Sequence, residues 1–269
     1  MVPGGPTLVF LLGAVIGVLG GLIGLGGGEF RLPVLVGLLG YAARQAVPLN
    51  LAVSLVTLAA SLAIRARTLS LAPVAPHGVA AAGMLAGALV GAAAGPSVAR
   101  RLSNERFVLT VLVLLLTIGA ILIAEGLLPK TIPALLPAAS PWQAAAGVGF
   151  GLGIGLVSSL LGVAGGELII PTLVIAYGAD VKAAGTASVM ISLPVVLAGI
   201  AAWRRRGGFS SADALRTTVL PMGAGSVVGA AAGGVLVRYV PEGPIKVFLG
   251  LLLIVSALRG LRKGARPED

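Results

Sequence analysis

Long uncharged blocks alternate along this chain with short basic stretches. Thr7 to Gly28 and Phe107 to Ala124 each run without a charged side chain. About 20 apolar residues, rising roughly 1.5 Å each, cross a hydrocarbon core of roughly 30 Å. No segment alternates apolar and polar residues with period two, so helices rather than barrel strands must satisfy the backbone in lipid. The pattern predicts five helical elements in each half of the chain. Long helices over 7–26 and 143–164 end in glycine clusters, and short apolar segments follow at 30–40 and 168–178. Helices with polar spots come next, over 46–64 and 184–203. Small-residue helices at 74–99 and 215–238 and Leu/Val-rich helices at 107–127 and 245–261 complete the halves. Residues 129–141, rich in Pro and Ala, form the linker, since proline blocks helix continuation. This divides the chain into a first transmembrane repeat, 1–128, and a second, 142–269.

The halves are copies of one unit. Shifted by 138 residues, Gly24, Gly27, Gly28, Glu29, Pro33, Leu35 and Gly40 fall on Gly162, Gly165, Gly166, Glu167, Pro171, Leu173 and Gly178. Ser54 falls on Ser192, and the GAAAG string at Gly91 falls on GAAAG at Gly229. A fixed offset without gaps marks a duplicated architecture. Five elements per half make the repeats inverted and four would make them parallel. The expected class is an all-α integral membrane protein of two inverted repeats, each with a Gly-broken helix and a short half-helix.

Composition agrees. Of 269 residues, 57% are hydrophobic and 10% charged, with mean hydropathy +1.07, whereas a soluble domain carries about 25% charged residues. The net charge of +10 does not point to nucleic acid, because the basic residues gather in clusters between apolar blocks. In the inverted arrangement Arg44, the Arg100–Arg106 cluster, the Arg204–Arg216 cluster and the tail fall on the side of both termini. The positive-inside bias then places both termini in the cytoplasm, and the chain is expected in a bacterial inner membrane. The first apolar block lacks a basic leader and recurs mid-chain, so it reads as a retained helix rather than a signal peptide. With no cysteine and a single histidine, His77, disulfides and multi-histidine metal sites are excluded. No cofactor is expected. The lipid bilayer is a partner, and a homodimer is compatible with the sequence.

The chemistry concentrates in the repeated Gly-Gly-Glu-x3-Pro element. Gly26, Gly27 and Gly28, with Gly165 and Gly166, permit backbone conformations that side chains forbid. Pro33 and Pro171 remove an amide donor. A half-helix starting at such a break points free N–H groups and partial positive charge into a cavity, a site for an anion. The alternative is that these glycines only let helices approach, which is the better reading for GAAAG and the Gly83, Gly87, Gly91 and Gly95 ladder. Glu29 and Glu167 are carboxyls inside an apolar bundle, functional by default. They read as proton carriers coupled to substrate movement or as caps for the half-helices, and both readings stand. Asn50, Ser54 and Thr57 share one helical face in the first half, matched by Thr186, Ser188 and Ser192 in the second. These neutral donors suit an anion, although Ser and Thr also bond their own helix. Arg31, just after the break, either attracts the anion or sits in a loop, the loop being favoured because Ile169 stands at its repeat position, and Trp203 is placed at the membrane interface.

GLIGLGGGEFRLPVL and SLLGVAGGELIIPTLVIAYGADVKAAGTASVMISLPVVLAG resemble the TauE/SafE sulfite exporter family, also called the toluene-sulfonate uptake permease family. The resemblance covers nearly the whole chain, duplication included. It implies an inner-membrane permease for sulfite, sulfonates or related organosulfur anions. By position it implicates Gly26 to Gly28, Pro33, Gly165, Gly166, Pro171 and the stretch from Ala184 to Ser188. The chain departs from the family pattern at Ala46 to Asn50 and at Glu29, where an apolar residue is common. A secondary transporter working by alternating access is the leading expectation, with an anion channel or a transporter of small carboxylates as alternatives. No Ser–His arrangement, HExxH or Walker-type loop occurs, so neither catalysis nor ATP drive is expected.

Overall fold

A computed structural model describes residues 5–23, 27–65, 74–127, 134–136, 142–209, 212–236, 239 and 241–264. Gly26 and most of the expected linker lie outside these residues. Among those described, all regular structure is helical. The first half carries α1 (Gly5–Ile23), α2 (Gly28–Gly37), α3 (Ala43–Arg65), α4 (Gly78–Arg101) and α5 (Asn104–Leu127). The second carries α6 (Trp142–Leu161), α7 (Gly166–Pro171) with a π-helical extension Thr172–Ala176, and α8 (Val181–Arg205). Then come α9 (Ala212–Ala214), a π-helical stretch Leu215–Val219, α10 (Leu220–Leu236) and α11 (Glu242–Gly264). Seven of the described helices are long and apolar enough to cross a membrane, and α11 adds another 23-residue rod. The short elements are α2, 10 residues, and α7 with its extension.

The halves interlock by exchange. The glycines of α1 face α10: a Cβ on Gly13, Gly17 or Gly21 would collide with the carbonyls of Met222, Ser226 or Ala230. The glycine ladder of α4 faces α6 in the same manner, Gly87 against Val148 and Gly91 against Leu152. Both pairs run parallel. Removing side chains lets backbones approach within van der Waals contact, the main attraction between helices in lipid, where no hydrophobic force draws them together. The packing reading of the ladder therefore holds.

The last helices of the halves settle the symmetry. Gly119 of α5 lies against Gly250 and Ile254 of α11, while Gly126 lies against Gly243 and Val247. Glu125, near the end of α5, takes an ion pair at 3.1 Å from Lys246, near the start of α11. The two helices are antiparallel. Repeats related by an axis along the membrane normal would run them parallel, so the repeats are inverted, and α2 and α7 each complete a crossing. At the other end of the molecule Arg44, at the start of α3, donates to the carbonyls of Ala99 and Leu102, at the end of α4. This ties the C-terminal end of α4 to the face on which α3 begins.

A substitution pair tests this packing. Gly87→Leu should cost roughly 1–3 kcal/mol or more by overpacking, lowering the thermal midpoint in detergent. Gly149→Leu, on α6 where an added Cβ meets nothing within 4 Å, should leave it unchanged.

Candidate functional site

The two helix interruptions meet at the middle of the bundle. Gly27 precedes α2 with φ 66° and Gly165 precedes α7 with φ 81°. This left-handed region costs a residue with a Cβ roughly 1–2 kcal/mol, and glycine at both positions lets the chain turn and restart a helix at once. The motif's prolines extend the interruption. Pro33 and Pro171 stand four residues after Glu29 and Glu167, so each removes the amide that would bond the glutamate's own carbonyl in a continuous helix.

Irregular backbone at this depth needs partners from elsewhere in the protein, and α3 supplies them. Asn50 is fully buried. Its Nδ2 donates to the Gly28 carbonyl at 2.8 Å and to the Leu161 carbonyl at 3.1 Å, joining the start of α2 to the end of α6. Ser54 Oγ donates to the Gly162 carbonyl at 3.3 Å. Ser158 Oγ closes the same loop by donating to the Val163 carbonyl at 2.6 Å. A Cβ on Gly28 would sit 3.1 Å from a Val163 methyl and 3.3 Å from Ser54 Oγ. One break of each repeat, and the polar face of α3, thus share one small volume.

Charge is sealed inside it. Glu29 is 0% exposed, Glu167 3% and Arg31 0%. The two carboxyls lie close enough to feel one another, and Arg31 stands in the field of both. The Glu29 and Glu167 side chains face one another, and the Glu29 carboxyl lies beside its own backbone N–H. Both sit in the first turn of their half-helices, where the helix dipole favours negative charge. Arg31 is not in a loop: it lies inside α2 and its Nε donates to the Gly27 carbonyl at 3.4 Å. Sequence reasoning undervalued it because no charge stands at its repeat mate Ile169. The signal was available, since a lone charge within four residues of a glycine break is enclosed once the segment is a helix rather than a loop. Trp203 is likewise corrected. It is no interfacial anchor but is 5% exposed, donating from Nε1 to the Ser159 carbonyl at 3.0 Å.

The remaining expected site residues divide. Gly27, Gly28, Asn50 and Ser54 come together with Glu29. Gly165, Gly166 and Glu167 form the matching break. Ser188 and Ser192 are buried on α8, the helix beside α7, at the places related by the repeat to Asn50 and Ser54. Thr186 is half-buried, and a spacing of two turns it to the other side of α8. Thr57 bonds its own helix, donating to the Ser54 carbonyl at 2.9 Å.

The family model described as sulfite exporter TauE/SafE matches residues 2–123 and again 146–269. No curated protein and no solved structure matches the chain.

Removing the donor that joins the two breaks should destabilise the whole bundle. Asn50→Leu removes both of these buried hydrogen bonds, costing roughly 1–3 kcal/mol, and should lower the thermal midpoint. Thr117→Val should not, because Thr117 is exposed and its hydroxyl donates to the Val113 carbonyl of its own helix.

Proposed function

Because the chain belongs to the sulfite exporter TauE/SafE family, whose model covers both halves, we propose that it is a secondary transporter of sulfite, sulfonates or related organosulfur anions, acting by alternating access in a bacterial inner membrane with both termini in the cytoplasm. The observation that carries this reading is the buried centre where both helix breaks, one arginine and two glutamates converge. A tetrahedral oxyanion presents acceptor oxygens in several directions. Half-helix amides, Arg31 and neutral donors such as Ser188 and Ser192 are complementary to it. Pro33 and Pro171 shape the breaks.

Charge balance then sets the coupling. Glu29 and Glu167 together offset more charge than Arg31 carries, so the empty centre holds one proton to stay neutral. A monovalent anion paired with Arg31 restores the imbalance, and a second proton accompanies it. An uncompensated charge at this depth costs several kcal/mol, enough to make the half-loaded states, anion without second proton or second proton without anion, rare. The two glutamates are thus the proton carriers, and anion and proton move together, one for one.

Flux into proteoliposomes tests the reading. Sulfite or a short alkanesulfonate should accumulate faster under a pH gradient acidic on the anion's side, and a transport rate blind to that gradient would remove the coupling. Glu29→Gln combined with Glu167→Gln should abolish the pH response. Arg31→Gln should lower anion flux by at least roughly tenfold, the loss of one charge-assisted pair. If no sulfite, sulfonate, thiosulfate or carboxylate moves at all, the substrate class is wrong.

A further inference from the structure

We propose that the cleft between α3 and α10 is the outer half of the anion's path, open in this structure, while the repeat-related passage between α8 and α4 is shut and latched by Arg206 and Ser97. This rests on the transport reading above and assigns its two access routes.

The cleft holds about 320 Å³ and lies between the halves of the protein. Thr57 forms its inner end, one helical turn beyond Ser54, and Ser61, Val227, Ala230 and Gly234 wall it further out. Asn50, Ser54, Thr57 and Ser61 follow at spacings of four, three and four, so they line one face of α3. That face is a continuous polar stripe from the buried centre into the cleft. An added Cβ on Gly234 meets nothing within 4 Å, so the space beside it is open. α3 runs parallel to α10, as Gly223 against Val56 at one end and the shared cleft at the other require. Both helices end on the face opposite the chain termini, and there the cleft opens.

The repeat predicts a second cleft 138 residues away, on the face of the termini, and it is closed. Ser61 becomes Gly199, Ala230 becomes Ala92 and Gly234 becomes Pro96, and all three replacements are buried. Thr57 becomes Val195, 1% exposed, packed in one apolar cluster with Ala88 and Ala92. Beyond this plug Arg206 of the α8 end donates from Nη2 to Ser97 Oγ of α4 at 2.7 Å. The counterpart of Ser97 is Val235, which has no hydroxyl and is 60% exposed. In an inverted repeat, exchanging the two packings would open the second route and shut the first.

The natural absence of cysteine makes a direct test possible. Ser61→Cys, Gly199→Cys and the lipid-facing control Val113→Cys would each be exposed to a charged, membrane-impermeant sulfonatoethyl methanethiosulfonate in sealed vesicles of known orientation. Ser61→Cys should be modified roughly tenfold faster than the control from the side away from the termini, with Gly199→Cys protected. Adding Arg206→Ala should raise modification of Gly199→Cys from the terminal side and slow that of Ser61→Cys. Modification of Ser61→Cys should stop anion flux. A rate at Ser61→Cys no greater than at Val113→Cys would mean a lipid-filled seam and overturn the route, and equal rates at Ser61→Cys and Gly199→Cys would overturn the asymmetry. Unchanged rates with Arg206→Ala would overturn the latch. The labelling contrast needs no flux, so a wild type that moves no anion refutes the transport reading alone, while flux indifferent to modified Ser61→Cys refutes the route alone.

Discussion

The structure depends on one constraint: a backbone carbonyl or amide in the hydrocarbon layer has no water to turn to. This protein nevertheless breaks helical geometry inside the bundle, at Gly27 and at Gly162 to Gly165. Such interruptions persist because side chains from a third helix occupy the exposed groups. Asn50 does the most, since a single amide donates to the start of α2 and the end of α6. Everything else in the centre follows from that clamp. The half-helices begin where it holds them, their first turns carry Glu29 and Glu167, and α2 draws Arg31 inward with it.

Much of this was legible in the sequence. The five elements per half, the offset of 138 and the glycine breaks were written in periodicity and repetition, and observed boundaries fall within a few residues of those expected. Inversion was legible only as a count of elements. Its proof needed the pairing of Gly119 and Gly126 with α11, because antiparallel contact is a matter of three dimensions. Arg31 was misplaced for want of a charged repeat mate, and Trp203 by a rule of averages. Aromatic rules for membranes describe the average position along the bilayer normal, and they fail where tertiary packing encloses a residue. The polar face of α3 was visible as a spacing. That Asn50 serves backbone carbonyls rather than facing solely into a cavity was not, since both uses demand the same side chain at the same place.

The duplication and the charge centre are linked. Two equal copies would place like residues at both breaks, and Glu29 and Glu167 obey this. Arg31 opposite Ile169, Gly234 opposite Pro96 and Val235 opposite Ser97 do not. The first difference gives the centre a fixed positive charge, and the other two make the clefts unequal. Function in a symmetric scaffold is concentrated where the copies have drifted apart.

The exchange of first and fourth helices between the halves has a consequence for biosynthesis. The glycine face of α1 leaves the ribosome about 200 residues ahead of α10, to which the surface it fits belongs. Until that helix arrives, bare backbone along α1 rests against lipid tails or against the insertion machinery. In the finished bundle each half leaves its glycine-faced helices to be covered by the other, so neither half is a complete packing unit alone.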